Sequence, residues 1–297
     1  FKHHGTWFDE KSFWLLGMEG YRVYEGLKAE NSSLKSRGFS EGGYYILRSE
    51  ETVLVFDCGK LGYANHAGHG HADALSVILS ICGKPVFVDP GMPCYGENPR
   101  LRDAFRGTSA HNTIVVDRRN QSEIADTFLW LRKANARCER WTTDRMFDSV
   151  VGMHDGYAGL GIVHQRQVTF VRPDIWLIID TLKGTGTHEL EQYWHLAPGV
   201  EVSNVYDGFA RISIGEIALD LMLTGPTNFS LGIVPEATNS ANGWMSPNYG
   251  ELCKAPVLCY RGVVKLPCIL TVLIKRGRIG TESENRSKTG TQVVKRL

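Results

Sequence analysis

Val163-His164-Gln165-Arg166-Gln167-Val168-Thr169-Phe170-Val171 is followed, after Arg172-Pro173-Asp174, by Ile175-Trp176-Leu177-Ile178-Ile179-Asp180-Thr181-Leu182. Two short apolar or alternating runs, parted by proline and aspartate, read as strands bounded by a turn. The same pattern holds from Gly42 onward. Further runs are Tyr44–Arg48, Val53–Cys58, Leu75–Ile81, Pro85–Asp89, Asn112–Val116, His188–Leu196, Phe209–Ile214, Ile217–Leu223, Val257–Val264 and Cys268–Ile274. Many strands without repeated helices between them predict a mainly β chain built as a large antiparallel β-sandwich. Only the start differs. Phe13, Trp14, Leu16, Met18, Tyr21, Tyr24 and Leu27 approach a helical stripe, weakened by Gly17 and Gly20. A polar stretch from Lys28 to Arg37 reads as a linker. The segment 277–297 is rich in Gly, Ser, Thr and charge and reads as a flexible tail. The expected division is therefore a helical segment and linker over 1–38, the sandwich over 39–276, and the tail.

Composition narrows the function classes. Apolar residues make up 42% and charged residues 22% of 297 residues, ordinary for a globular chain. A net charge of +1 argues against a general nucleic-acid binder. No apolar run approaches the roughly 20 residues of a membrane-spanning helix. Seven scattered cysteines, without a Cys-x-x-Cys pair, match neither a zinc-cysteine site nor a disulfide framework, although a bridge among Cys253, Cys259 and Cys268 stays open. Charge is locally uneven: residues 97–120 carry five arginines against three acids. Such a stretch, read as a loop, would attract an acidic ligand or serve simply as a solvated surface.

The chemistry concentrates in Gly68-His69-Gly70-His71-Ala72-Asp73-Ala74-Leu75-Ser76. In extended chain, residues i and i+2 share a face, so the two imidazoles can meet one ion, or divide between a metal and a substrate. Asp89 follows eighteen residues after His71, and His111 twenty-two residues after that. Two histidines and an aspartate make an N/O donor set that suits zinc. Taken singly, each has another reading. A His-x-His pair is common on surfaces, Asp89 before Pro90-Gly91 is a turn former, and His111 suits a hydrogen-bonded core position.

The flanking residues resemble the heparinase II/III-like family of polysaccharide lyases. The likeness starts at Ser40-Glu41-Gly42-Gly43-Tyr44-Tyr45-Ile46-Leu47-Arg48 and runs through residues 68–76 and Val88-Asp89-Pro90-Gly91. It continues in Phe105-Arg106-Gly107-Thr108-Ser109-Ala110-His111-Asn112-Thr113, Val115-Val116-Asp117 and Gln121-Ser122-Glu123. Weaker echoes lie at Tyr193-Trp194-His195-Leu196-Ala197-Pro198-Gly199 and Ser246-Pro247-Asn248-Tyr249-Gly250-Glu251. The resemblance implies the sandwich (a supersandwich) and β-elimination on a uronic-acid-containing polysaccharide such as a glycosaminoglycan, in a periplasmic or secreted setting. It also implies a helical toroid upstream that contributes asparagine, histidine and tyrosine across a cleft. Residues 1–38 would hold at most a remnant of it.

Mapped residue by residue, the resemblance implies His69 as a catalytic histidine and His71, Asp89 and His111 as ligands of a zinc ion, with a structural role preferred over Lewis-acid catalysis. Elimination also needs a proton donor or acceptor and a partner for the substrate carboxylate. Tyr95 is the candidate acid or base, with an aromatic lid as its other reading. Arg106 is the candidate carboxylate clamp, with an ion pair to Asp103 or Asp117 as the alternative. For His195, Trp244 and Tyr249, structural packing is the expectation. Two competing functions remain: a non-catalytic carbohydrate-binding or scaffold sandwich with a structural metal, and a zinc hydrolase. The latter rests on His-x-His-x-Asp, which is similar to a metallo-β-lactamase motif, but Ala74 stands where that family has histidine.

Overall fold

The computed structural model describes residues 8–27, 35–63 and 66–277. It divides into two compact units, Phe1–Lys35 and Ser36–Leu297. In the first, Asp9 caps the helix Glu10–Gly26, its side chain accepting from the Ser12 N–H at 2.8 Å. Gly17, at φ +65°, breaks the helical path, and Trp14, Leu15 and Leu16 are exposed. The expected linker lies largely outside the described residues, as does all but the first residue of the expected tail.

The second unit is the predicted antiparallel sandwich. One layer is an eight-stranded sheet in the order Glu201–Tyr206, Phe209–Ile214, Ile217–Thr224, Cys268–Gly277, Ile175–Lys183, Val163–Val171, Phe147–His154, Ala136–Thr143. Against it lie a five-stranded sheet, Arg37–Phe39 through Tyr44–Arg48, Thr52–Asp57, Val77–Ile81 and Lys84–Phe87, and a four-stranded sheet of Ser230–Ile233, Val257–Lys265, Thr187–His195 and Ile114–Val116. The two meet at a bridge between Phe87 and Leu196. All three contribute to one core, with Phe56, Leu79, Phe87, Phe170, Trp176, Trp194 and Val272 fully buried. Alternation is cleanest in Val163–Val171 and Ile175–Lys183, whose inward residues are buried at every second position.

Residues 97–120 are not the open basic loop that their charge suggests. Pro99–Arg106 is a helix, capped by the Asn98 side chain accepting from the Leu101 N–H at 3.1 Å, with proline in its first turn. Its inward face buries Arg102, Phe105 and Arg106. Arg118 pairs with Glu189 at 3.0 Å. All seven cysteines are free thiols, so no bridge joins Cys253, Cys259 and Cys268.

Candidate functional site

The loop between the strands Thr52–Asp57 and Val77–Ile81 carries residues 68–76. Asp89 follows the end of Lys84–Phe87, and His111 follows the turn Thr108–Ala110. These three places converge. Donor atoms of His71, Asp73, Asp89 and His111 all lie within 4.8 Å of one another. The predicted trio is thus assembled, and Asp73 joins it. The signal for Asp73 was already in the chain: it extends the i, i+2 series of His69 and His71 by one step.

Asp89 has both expected characters at once. Its Oδ1 accepts from the Gly91 N–H at 2.8 Å, the turn role, while Oδ2 meets His111 Nδ1 at 2.9 Å. Gly91 is at φ +75°, and a Cβ there would fall 2.3 Å from the Ser246 carbonyl oxygen, so only glycine fits. The His111 side chain is 1% exposed against 34% for Asp89. One imidazole edge is therefore sealed in protein, and the carboxylate faces outward. The His71 and His111 rings stand 5.2 Å apart.

The electrostatics are those of crowded carboxylates. Burial drives Asp73 up to about 7, with Asp57 and Asp89 adding to the rise, and drives Asp57 up to about 6. Burial also opposes ionisation of Asp89. There, the charge and hydrogen bond of His111, with His71, outweigh it and hold the carboxyl down at about 2. His71 falls to about 4, first through burial and then through His111. His111 is raised: burial opposes its charge, but Asp89, Asp73 and Asp57 prevail.

The donor set suits a divalent cation. Two imidazoles and two carboxylates, with Asp57 behind them, give a nitrogen–oxygen cage with surplus negative charge. His111 Nε2 is buried and has no hydrogen-bond partner, an orphan of the kind that a ligand satisfies.

Above the cluster lies an open cleft of about 630 Å³ lined by Tyr44, Lys60, Tyr63, His66, His69, His71, Asp73 and Asp89, among others. His69 is exposed at its edge, and its Nδ1 is 3.2 Å from the Tyr95 hydroxyl. Phe128 packs on both rings, at 5.3 Å from His69 and 5.5 Å from Tyr95. Tyr249 stacks on Tyr95 at 5.8 Å and donates to Glu97 at 2.8 Å. Sequence reasoning brought His69 and Tyr95 forward separately; the fold makes them a pair. It missed Phe128 and Lys60, which stand alone in sequence. Tyr44, on the cleft wall, is pushed up to about 12 by the Asp57 charge and by burial.

Arg106 lies beside His69 and Tyr95 but is held within the protein. Its side chain is 2% exposed, Nη1 donates to the Thr127 carbonyl at 2.7 Å, Nη2 donates to the Asp126 carbonyl, and Nε faces Asp103 at 3.2 Å. The guanidinium also covers Trp130 at 4.8 Å. The ion pair with Asp103, the alternative reading, is the one that the fold adopts. Asp117 instead pairs with His188 at 2.7 Å. His195 is buried, its Nε2 donating to the Ser109 carbonyl at 2.9 Å, and burial lowers it to about 4. Trp244 packs beside Phe105, Ala110 and Ala241.

Residues 31–285 match the family model described as "Heparinase II/III-like, C-terminal". Among curated relatives, the heparin-sulfate lyase of Pedobacter heparinus is 27% identical over 183 residues, covering 59% of this chain and 25% of that protein. The heparin-sulfate lyase of Bacteroides thetaiotaomicron is 26% identical over 180 residues, covering 57% and 24%. The chain thus aligns with about a quarter of each relative's length. Among solved structures, heparan sulfate lyase HepC from Pedobacter heparinus superposes with a TM-score of 0.68 at 22% identity, covering 91% of this chain and 41% of that one. Heparinase III superposes with a TM-score of 0.70 at 16% identity, covering 95% and 46%. At those identities the superpositions speak for the fold, and the family match carries the assignment: this chain belongs to the heparinase II/III-like family, as its C-terminal domain.

Proposed function

We propose that this domain forms one wall of a polysaccharide lyase site that cleaves a uronic-acid-containing polysaccharide, of the heparan-sulfate class, by β-elimination. The observation that carries the reading is His69, on the lining of an open cleft beside a candidate cation site and hydrogen-bonded to Tyr95.

Elimination removes the C5 proton of the uronate and expels the O4 leaving group, creating a C4=C5 double bond. One member of the pair takes the C5 proton and the other returns a proton to O4. Their mutual hydrogen bond keeps both in reach of one sugar. Phe128 holds the rings, and Tyr63, 92% exposed on the cleft wall, offers a face for a pyranose. Neutralising the substrate carboxylate, the role expected of Arg106, passes to Lys60 on the same wall.

His71, Asp89 and His111, with Asp73, would hold a zinc ion, and a bound ion would offset the crowded carboxylates at the cleft floor while tying three chain segments together. The structural role is preferred, because His69 and Tyr95 already provide both proton-transfer groups. A polymeric anionic substrate places the reaction outside the cytoplasm, in the periplasm or beyond. The alternative, a binding module without catalysis, shares the cleft but has no use for a paired tyrosine and histidine at its edge.

The deciding experiment incubates the protein with heparan sulfate, hyaluronan and alginate and follows the ultraviolet absorbance of the new double bond. A signal lost in His69→Ala with metal content retained supports the lyase reading. Binding without absorbance change in the complete gene product rejects it.

A further inference from the structure

We propose that Arg166 is a positioning residue for the ligand cluster, setting from the centre of the sandwich the two chain segments that carry Asp73 and His111. The proposal rests on the reading of that cluster as a metal site.

Arg166 is fully buried on the strand Val163–Val171. Its Nη1 donates to two backbone carbonyls, that of Leu75 at 2.9 Å and that of Asn112. The first lies two residues beyond Asp73 and the second is adjacent to His111. Leu75 is at φ +64°, left-handed backbone that leucine seldom adopts, and it turns the ligand loop into the strand Val77–Ile81. Such a conformation persists only where its surroundings impose it. Here they are the Arg166 guanidinium on the Leu75 carbonyl and the Asp57 carbonyl on the Leu75 N–H at 2.8 Å.

The guanidinium is itself aimed. Nε and Nη2 fork onto the two oxygens of Asp180 at 2.6 and 2.9 Å, directly across the register of the neighbouring strand. Asp180 also accepts from His164 Nε2 at 2.6 Å and Gln192 Nε2 at 2.7 Å. Behind them the proton order is fixed. The Gly156 N–H can only donate, so His154 Nδ1 accepts it at 3.0 Å. His154 Nε2 then donates to His164 Nδ1 at 3.0 Å, and His164 Nε2 donates to Asp180. Every member has one arrangement, which leaves the Nη1 edge one direction to point. The two carbonyls satisfy the guanidinium protons that Asp180 leaves free, as a buried ion pair requires, and both belong to ligand-bearing segments.

The test is a Zn²⁺ titration against a chromophoric chelator, with Co²⁺ absorption as a second readout, on the wild-type chain, Arg166→Lys and Ile178→Ala. Lysine keeps the charge but cannot fork. Ile178→Ala removes buried core on the strand Ile175–Lys183 and controls for general loss of stability. Arg166→Lys should weaken Zn²⁺ about 10–100-fold, as outer partners of metal ligands do, and change the shape of the Co²⁺ spectrum. Ile178→Ala should leave both unchanged at a similar loss of melting temperature. Wild-type affinity and spectrum in Arg166→Lys, or an equal loss in Ile178→Ala, overturns the proposal. If Arg166→Lys fails to fold, Asp180→Asn replaces it, with the same expectation and the same refutation. A wild-type chain that takes up neither ion is a distinct result: it removes the ligand set itself and this proposal with it.

Discussion

Removing a divalent ion from the His71–Asp73–Asp89–His111 cluster is expected to lower the melting temperature by about 5–11 °C, a range that combines mass action with the size scaling of thermal unfolding. The donors come from three segments separated by the strands Val77–Ile81 and Lys84–Phe87 and by the helix Pro99–Arg106. A bound ion therefore cross-links places far apart along the chain and favours the folded state alone. With free Zn²⁺ at about 100 times its dissociation constant, binding adds about 2.7 kcal/mol. For bodies of about 150–250 residues, each kcal/mol moves the midpoint by about 2–4 °C. Calorimetry on protein held in excess Zn²⁺, and again after EDTA, gives the increment directly. His111→Ala should abolish it, because that side chain carries both the contact to Asp89 and the orphaned Nε2. Equal midpoints with and without zinc in the wild type, or an increment that survives in His111→Ala, would refute the reasoning.

His69→Ala should cut elimination by about 10²–10⁴-fold, the usual range for a proton-transfer group, yet shift stability by less than about 0.5 kcal/mol, since the side chain is exposed; rate and urea midpoint together check this. Lys60→Met should raise KM for a sulfated or carboxylated substrate with melting temperature unchanged, and equal kinetics would return the carboxylate clamp to another residue. Asp180→Ala strands the Arg166 charge in the core and should cost about 3–5 kcal/mol in denaturant unfolding; a loss under about 1 kcal/mol would mean that the guanidinium finds water. His188 donates from Nδ1 to Asp117 and from Nε2 to the Thr185 carbonyl, and its pKa is raised, first by the hydrogen bond to Asp117. Its stabilising contribution is complete below the unfolded imidazole value of about 6.5 and fades as pH climbs through the raised folded value. His188→Gln should flatten that decline by no more than about 1 kcal/mol, given the pair's partial exposure, and an unaltered pH–stability curve would discount the pair.

Strands with one buried face were legible because burial leaves an apolar trace: Tyr44–Arg48, Val163–Val171 and Phe209–Ile214 match their sequence boundaries. Two neighbours escaped for opposite reasons. Ala136–Thr143 is an edge strand whose side chains mostly face water, so it shows no apolar alternation. Phe147–His154 is largely buried but fills the interior with Asp148, Ser149, Gly152 and His154, which read as a turn. The helix Pro99–Arg106 was hidden by arginines that it buries rather than exposes. At the site, His71, Asp89 and His111 could be named from residue type and spacing. Which groups support them could not: Arg166 acts on residues 91 and 54 positions away, and sequence proximity carries no trace of that.

The layer facing the eight-stranded sheet is two sheets joined edge to edge, and the joint is thin. The Phe87–Leu196 bridge is flanked by the Val88 N–H on the His195 carbonyl and the Ala197 N–H on the Val86 carbonyl. Asp89 leaves from one bank of this seam and His111 enters the other, so an ion shared between them would act as a rivet. Amide exchange at Val88, Leu196 and Ala197 then becomes a gauge of occupancy, slow when the rivet is in and faster when it is drawn. Were an ion held there, its loss would free the bank that carries Asp89, a residue of the cleft lining.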